Sequence, residues 1–86
     1  MSTLTYNGWK NRSTWNVALW LGNDEGYYRE TVAMAKRMSA ANIHLSGLRA
    51  RIFVTHTLGW DRTPDGDRMG SVDWPAIAEC IREMAE

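Results

Sequence analysis

The run Trp15-Asn16-Val17-Ala18-Leu19-Trp20-Leu21 is apolar on nearly every side when wound as a helix, and this constrains the chain more than any other feature. A helix of that kind has to be covered by its neighbours, so the remaining segments must pack around it. Asn11 or Ser13 can cap it and Gly22 can end it in the left-handed conformation, which predicts a helix over 13–21. A second helix is expected over 24–40, capped by Asn23, with Asp24 and Glu25 opposing the positive end of its dipole. Tyr28, Val32, Ala35 and Met38 share one face of it, and Arg29, Ala33, Lys36 and Arg37 take the other.

Residues 44–58 admit two readings. Leu45, Leu48, Ile52 and Phe53 fit a helical face, whereas IFVTHTL is β-branched and aromatic enough for a strand. No second strand is available to pair with it, and a lone strand leaves its backbone unsatisfied, so helix is preferred. A loop follows over 59–72, in which Thr63-Pro64-Asp65-Gly66 reads as a turn with proline second. Asp73 caps a last helix over 74–85, with Pro75 in its first turn and Trp74, Ile77, Ala78, Ile81 and Ala85 as its stripe. Residues 1–10 read as a short extended arm pinned by Tyr6 and Trp9, with Asn7-Gly8 favouring a turn. The expectation is a single all-α domain over 1–86, its four helices packed around Trp15, Leu19, Trp20, Val32, Ile77 and Ile81.

At 86 residues the chain is too short for a two-lobed enzyme with a cleft between domains. Its 44% hydrophobic content and zero net charge exclude a disordered chain. The neutrality hides an asymmetry: residues 1–60 hold seven bases and three acids, whereas 61–86 hold seven acids and three bases. The two parts attract weakly when folded together, or form a dipolar surface that steers a charged partner. One cysteine, Cys80, leaves no internal disulfide. No apolar run approaches the ~20 residues that span a bilayer and no signal-peptide pattern opens the chain, so the expected compartment is the cytoplasm.

Few residues suggest chemistry. His44, His56 and Cys80 stand far apart in sequence without metal-ligand spacing. Asp61, Asp65 and Asp67 lack the calcium-loop pattern, with Pro64 interrupting their spacing. No phosphate loop and no nucleophile context appears, so neither a cofactor, a metal nor catalysis is expected. Of the five tryptophans, Trp15, Trp20 and Trp74 fall on core stripes, while Trp9 and Trp60 at segment ends could pack inward or serve as exposed anchors. Lys36, Arg37, Arg49 and Arg51 form a basic patch for nucleic acid if the second and third helices are adjacent, although the pI of about 6.7 is far below the ~9 of an electrostatic footprint.

Tyr6-Asn7-Gly8-Trp9-Lys10-Asn11, Thr14 to Leu21 and Asn23-Asp24-Glu25-Gly26-Tyr27 together resemble the NGWxNxxTWNVxLWxxNDEGxY block of a family of small proteins of unknown function, encoded by bacteriophages, plasmids and their hosts. Thr63-Pro64-Asp65-Gly66 and the closing Asp-capped helix continue the resemblance; residues 31–58 do not match, and Arg12-Ser13 depart from the aromatic and acid found there. Most of the block is cap and core, and Asn16, set among apolar neighbours, is expected to bond the N-terminal arm. By analogy with other small phage proteins, the resemblance implies a non-catalytic accessory protein that binds a host protein or protein–nucleic-acid complex, for example an inhibitor of a CRISPR effector. Trp60, Asp61, Asp65, Asp67 and Glu79 are the expected contacts for such a partner, the acids meeting a basic channel. The alternatives are a nucleic-acid-binding regulator using Lys36, Arg37, Arg49 and Arg51, or a homodimer without a host target.

Overall fold

A computed structural model describes residues 8–86. Four helices follow in order: α1 (Arg12–Asn23), α2 (Glu25–Ala40), α3 (Gly47–Ile52), continued by a π turn over Phe53–Thr57, and α4 (Trp74–Met84). The fold is all-α, and no strand occurs among the described residues. Trp9 packs against the core and Gly8 has φ of +88°, as a turn there requires, whereas Tyr6 and Asn7 lie outside the described residues.

Local chemistry sets the helix ends. Asn11 caps α1 by accepting from the Thr14 amide. Gly22 does not end the helix as expected: α1 runs through it to Asn23, and the corner is a single extended residue, Asp24. Its amide donates to Trp20 O (3.1 Å), while its carboxylate accepts from the Tyr27 amide (3.0 Å) and its carbonyl from Tyr28 (2.8 Å). One aspartate therefore closes α1 and caps α2, the latter role expected of Asn23. At the far end of α2, Asn42 adopts φ of +59°, and the amides of Ile43 and Asn42 return to Met38 O and Ser39 O. That is a Schellman termination, with asparagine tolerating the left-handed conformation in place of glycine.

The third helix begins later than expected. Ser46 accepts from the Arg49 amide, so residues 44–46 are linker and the helix starts at Gly47. Its β-branched second half stays helical by widening: Leu58 N–H bonds Phe53 O at 2.9 Å, five residues back, and Trp60 N–H returns to Val54 O at 3.1 Å. Asp73 and Pro75 start α4 as read from the sequence.

α4 touches all three other helices, while α1 packs on α2 and α3 packs only on α4. It therefore takes the central place expected of the first helix, with Ile77, Ala78 and Ile81 on its buried stripe. The surrounding core is Val17, Leu21, Met34, Ala35, Leu45, Ala50, Phe53, Val54, Trp60 and Val72. Ile77 and Ile81 are core as expected; Trp15, Leu19, Trp20 and Val32 are only half-buried. Volume misleads here, because α1 buries the side carrying Val17 and Leu21 and leaves its larger rings at the rim.

Candidate functional site

The acidic loop after Trp60 is folded back on itself and then onto α1. Gly66 N–H closes the Thr63-Pro64-Asp65-Gly66 turn on Thr63 O at 2.8 Å, and Gly66 has φ of +91°. Thr63 is buried; its amide donates to Asp67 O and its hydroxyl accepts from the Asp67 amide, each at 2.9 Å. Arg62 and Arg68 face each other across the base in a single antiparallel bridge. This presents two carboxylates to α1.

Asp65 Oδ2 accepts from Asn16 Nδ2 at 2.6 Å and from Trp20 Nε1 at 3.0 Å. Arg12 Nε–H is shared between both oxygens of Asp67, at 3.1 and 3.0 Å. Further along, Asn11 Nδ2 donates to Ser71 O (2.7 Å), and the buried Thr14 hydroxyl donates to Asn11 Oδ1 (2.7 Å) while accepting from the Asp73 amide (2.9 Å). One side of α1 is thus a polar seam that holds residues 65–73 in place. Asn16 joins the loop, whereas most of the arm expected as its partner lies outside the described residues. Its Oδ1 and Trp60 Nε1 are the buried polar side-chain atoms without a hydrogen-bond partner among the described residues. Asn16, then Trp20, hold the Asp65 carboxyl below the usual carboxylate range, aided by the charge of Arg12 and against a lesser effect of desolvation.

The residues singled out for partner contact fall into different settings. Trp60 is only 7% exposed and meets Tyr27 edge to face, with centroids 5.0 Å apart. It is a core residue, which corrects the expectation of an anchor available at the surface. Asp65 and Asp67 belong to the seam, Asp61 is exposed beside it, and Glu79 is exposed on α4 near Cys80. Cys80 is half-buried, and burial, then Glu83, raise its thiol above the ordinary value. Among the described residues no three His, Cys, Asp or Glu side chains gather as a metal site would require, and no helix is long and apolar enough to cross a membrane.

Lys36 and Arg37 on α2 and Arg49 and Arg51 on α3 are all exposed, but α2 and α3 do not pack on one another. The helix adjacency that a single four-residue basic patch requires is therefore missing. Leu48 is 66% and Ile52 47% exposed, although both were expected on the core face of their helix. The buried residues are Ala50, Phe53 and Val54. The sequence offers both stripes at helical spacing, and the small size of Ala50 hides the one that the fold buries. The C-terminal ends of α2 and α4 and residues 42–45 border an open groove of about 680 Å³, with Met38, Ile43 and Leu45 on its apolar side.

Taken together, a four-helix fold with a hydrogen-bonded loop and a separate cationic, aliphatic helix face defines a small all-α protein among the described residues. Residues 2–86 match the model of a family of unknown function (DUF7249), and the chain belongs to that family. No curated protein and no solved structure matches it.

Proposed function

We propose that this protein is a non-catalytic accessory protein of a mobile element, which acts in the host cytoplasm by occupying the surface of a host macromolecule. Inhibition of a host defence complex such as a CRISPR effector is its concrete form. The mobile-element origin rests on the block from Tyr6 to Tyr27, and the CRISPR target on analogy with other small phage proteins. The observation that carries the binding role is the outer face of α3, where Leu48, Arg49, Arg51 and Ile52 are all exposed. Neither guanidinium has a hydrogen-bond or ion-pair partner among the described residues. Asp65 and Asp67 are engaged by α1, which moves the proposed contact from the acidic loop to this helix.

Affinity capture from host lysate tests the reading. A host protein retained after nuclease treatment, and lost with Leu48→Asp/Ile52→Asp, is the expected result. Recovery that depends on nucleic acid favours the regulator using Lys36, Arg37, Arg49 and Arg51, and no retained macromolecule rejects both. For the CRISPR form, an immunised host expressing the chain should lose protection against a targeted phage; undiminished protection rejects that form.

A further inference from the structure

Between Thr31 and Trp60 the chain contains no aspartate or glutamate, while it carries Lys36, Arg37, Arg49 and Arg51. Three of the four large hydrophobic side chains exposed among the described residues, Ile43, Leu48 and Ile52, fall within that stretch. Their arrangement on α3 is ordered. Leu48 and Ile52 are four residues apart and share a face, and at ~100° per residue Arg49 and Arg51 lie about 80° to either side of that pair. The helix thus presents an aliphatic stripe with a guanidinium along each edge. The fold leaves it open because α3 buries Ala50, and the π turn that continues it buries Phe53 and Val54.

We propose that this face docks an acidic amphipathic segment of a protein partner, with apolar side chains seated on Leu48 and Ile52 and carboxylates meeting Arg49 and Arg51. The inference rests on the macromolecule-binding reading and adds the chemistry of the partner. Arginine is the residue suited to such a pairing, since its planar fork engages a carboxylate with two donors and gives up less hydration than lysine. Nucleic acid fits less well. Two arginines neutralise about two phosphates, which supplies little of the counterion-release term that drives such binding, and phosphates offer nothing to the aliphatics at the centre of the face. A second copy fits no better. A two-fold contact through α3 would set arginine near arginine, and two aliphatic side chains fall well short of the ~800 Å² per partner of a standard interface.

The test immobilises the whole protein and pans a displayed library of random 16-residue peptides. Retained peptides are expected to pair carboxylates with large apolar residues. They should be held at least about tenfold less well by Arg49→Glu/Arg51→Glu, an affinity change well within the reach of paired charges, and should be released by Leu48→Asp. All substituted positions are exposed, and circular dichroism melts of each variant verify folding. Failure to enrich any peptide, enrichment without acidic bias, equal retention by the charge-reversed variant, or tighter retention of duplex DNA by the same arginines would each overturn the proposal. A host protein captured from nuclease-treated lysate that Leu48→Asp releases and Arg49→Glu/Arg51→Glu retains would overturn the acidic-partner chemistry alone, leaving the macromolecule-binding reading in place.

Discussion

The loop over 59–72 and the outer face of α3 are both charged and both reach solvent, yet their charges have opposite fates. In the loop, Asp65 and Asp67 are bound by Asn16, Trp20 and Arg12, three side chains of one helix. On α3, Arg49 and Arg51 stand beside two aliphatics that the fold leaves outside. The difference separates charge that the fold has engaged from charge that it leaves exposed. Net charge by segment gives the same weight to both, whereas hydrogen bonding divides them. Asp65 and Asp67 belong to the scaffold, and α3 presents its basic side chains on the exposed surface.

The largest expected effect lies where α3 meets the core. Phe53→Ala removes a ring that is 4% exposed and should destabilise by about 3–5 kcal/mol. Urea unfolding checks this, and a loss below about 1 kcal/mol would place the inner face of α3 outside the core. Gly47→Ala comes next. A Cβ there would lie 2.9 Å from Pro75 N and 3.1 Å from the Trp74 carbonyl carbon, backbone atoms of α4 that have little room to yield. The expected cost is near the top of the ~1–3 kcal/mol range for overpacking, and wild-type stability would show that α3 can slide on α4.

The helices were largely legible because their signals are local: Asn11, Asp73 and Pro75 act within one turn of where they stand. The single-residue corner at Asp24 was less so, since Asn23, Asp24 and Gly22 all offer acceptable ends and only the packing of α1 on α2 chooses among them. The seam was out of reach. Asn16 finds its partner 49 residues away, and spacing says nothing about a contact of that range. Trp60, open to either setting in the sequence, proves to be core and not the surface anchor, and its place follows the π turn that carries the chain past Val54. Among candidate site residues, Arg49 and Arg51 could be named from sequence, but the exposure of Leu48 and Ile52 depends on which of two helical stripes meets α4.

The seam itself offers a sharper comparison. Thr14→Val keeps the shape of a fully buried side chain but removes the hydroxyl that links Asn11 to the Asp73 amide. A loss of about 1–2 kcal/mol is expected from two neutral hydrogen bonds, and an unchanged unfolding midpoint would mean that the seam contributes no stability. Acid should act on the same region. A carboxyl whose folded value is depressed stabilises the protein above its unfolded pKa of ~3.9, and that contribution fades as pH falls through the folded value. Stability should therefore fall with acid below about pH 4 in wild type, and more shallowly in Asp65→Asn. Parallel pH profiles for the two proteins would show that Asp65 is not held in the way its partners indicate.

The most direct test of the division between building and free charge is a side-by-side thermal melt of Asp65→Asn/Asp67→Asn and Arg49→Glu/Arg51→Glu at neutral pH. The loop variant should melt clearly below wild type, because it weakens the bonds to Asn16, Trp20 and Arg12. The α3 variant should stay within about 4 °C of wild type, the shift expected of exposed substitutions in a domain this small. A loop variant that melts with wild type, or an α3 variant that falls further than the loop variant, would contradict the assignment of the acidic loop to the scaffold and of α3 to the free surface.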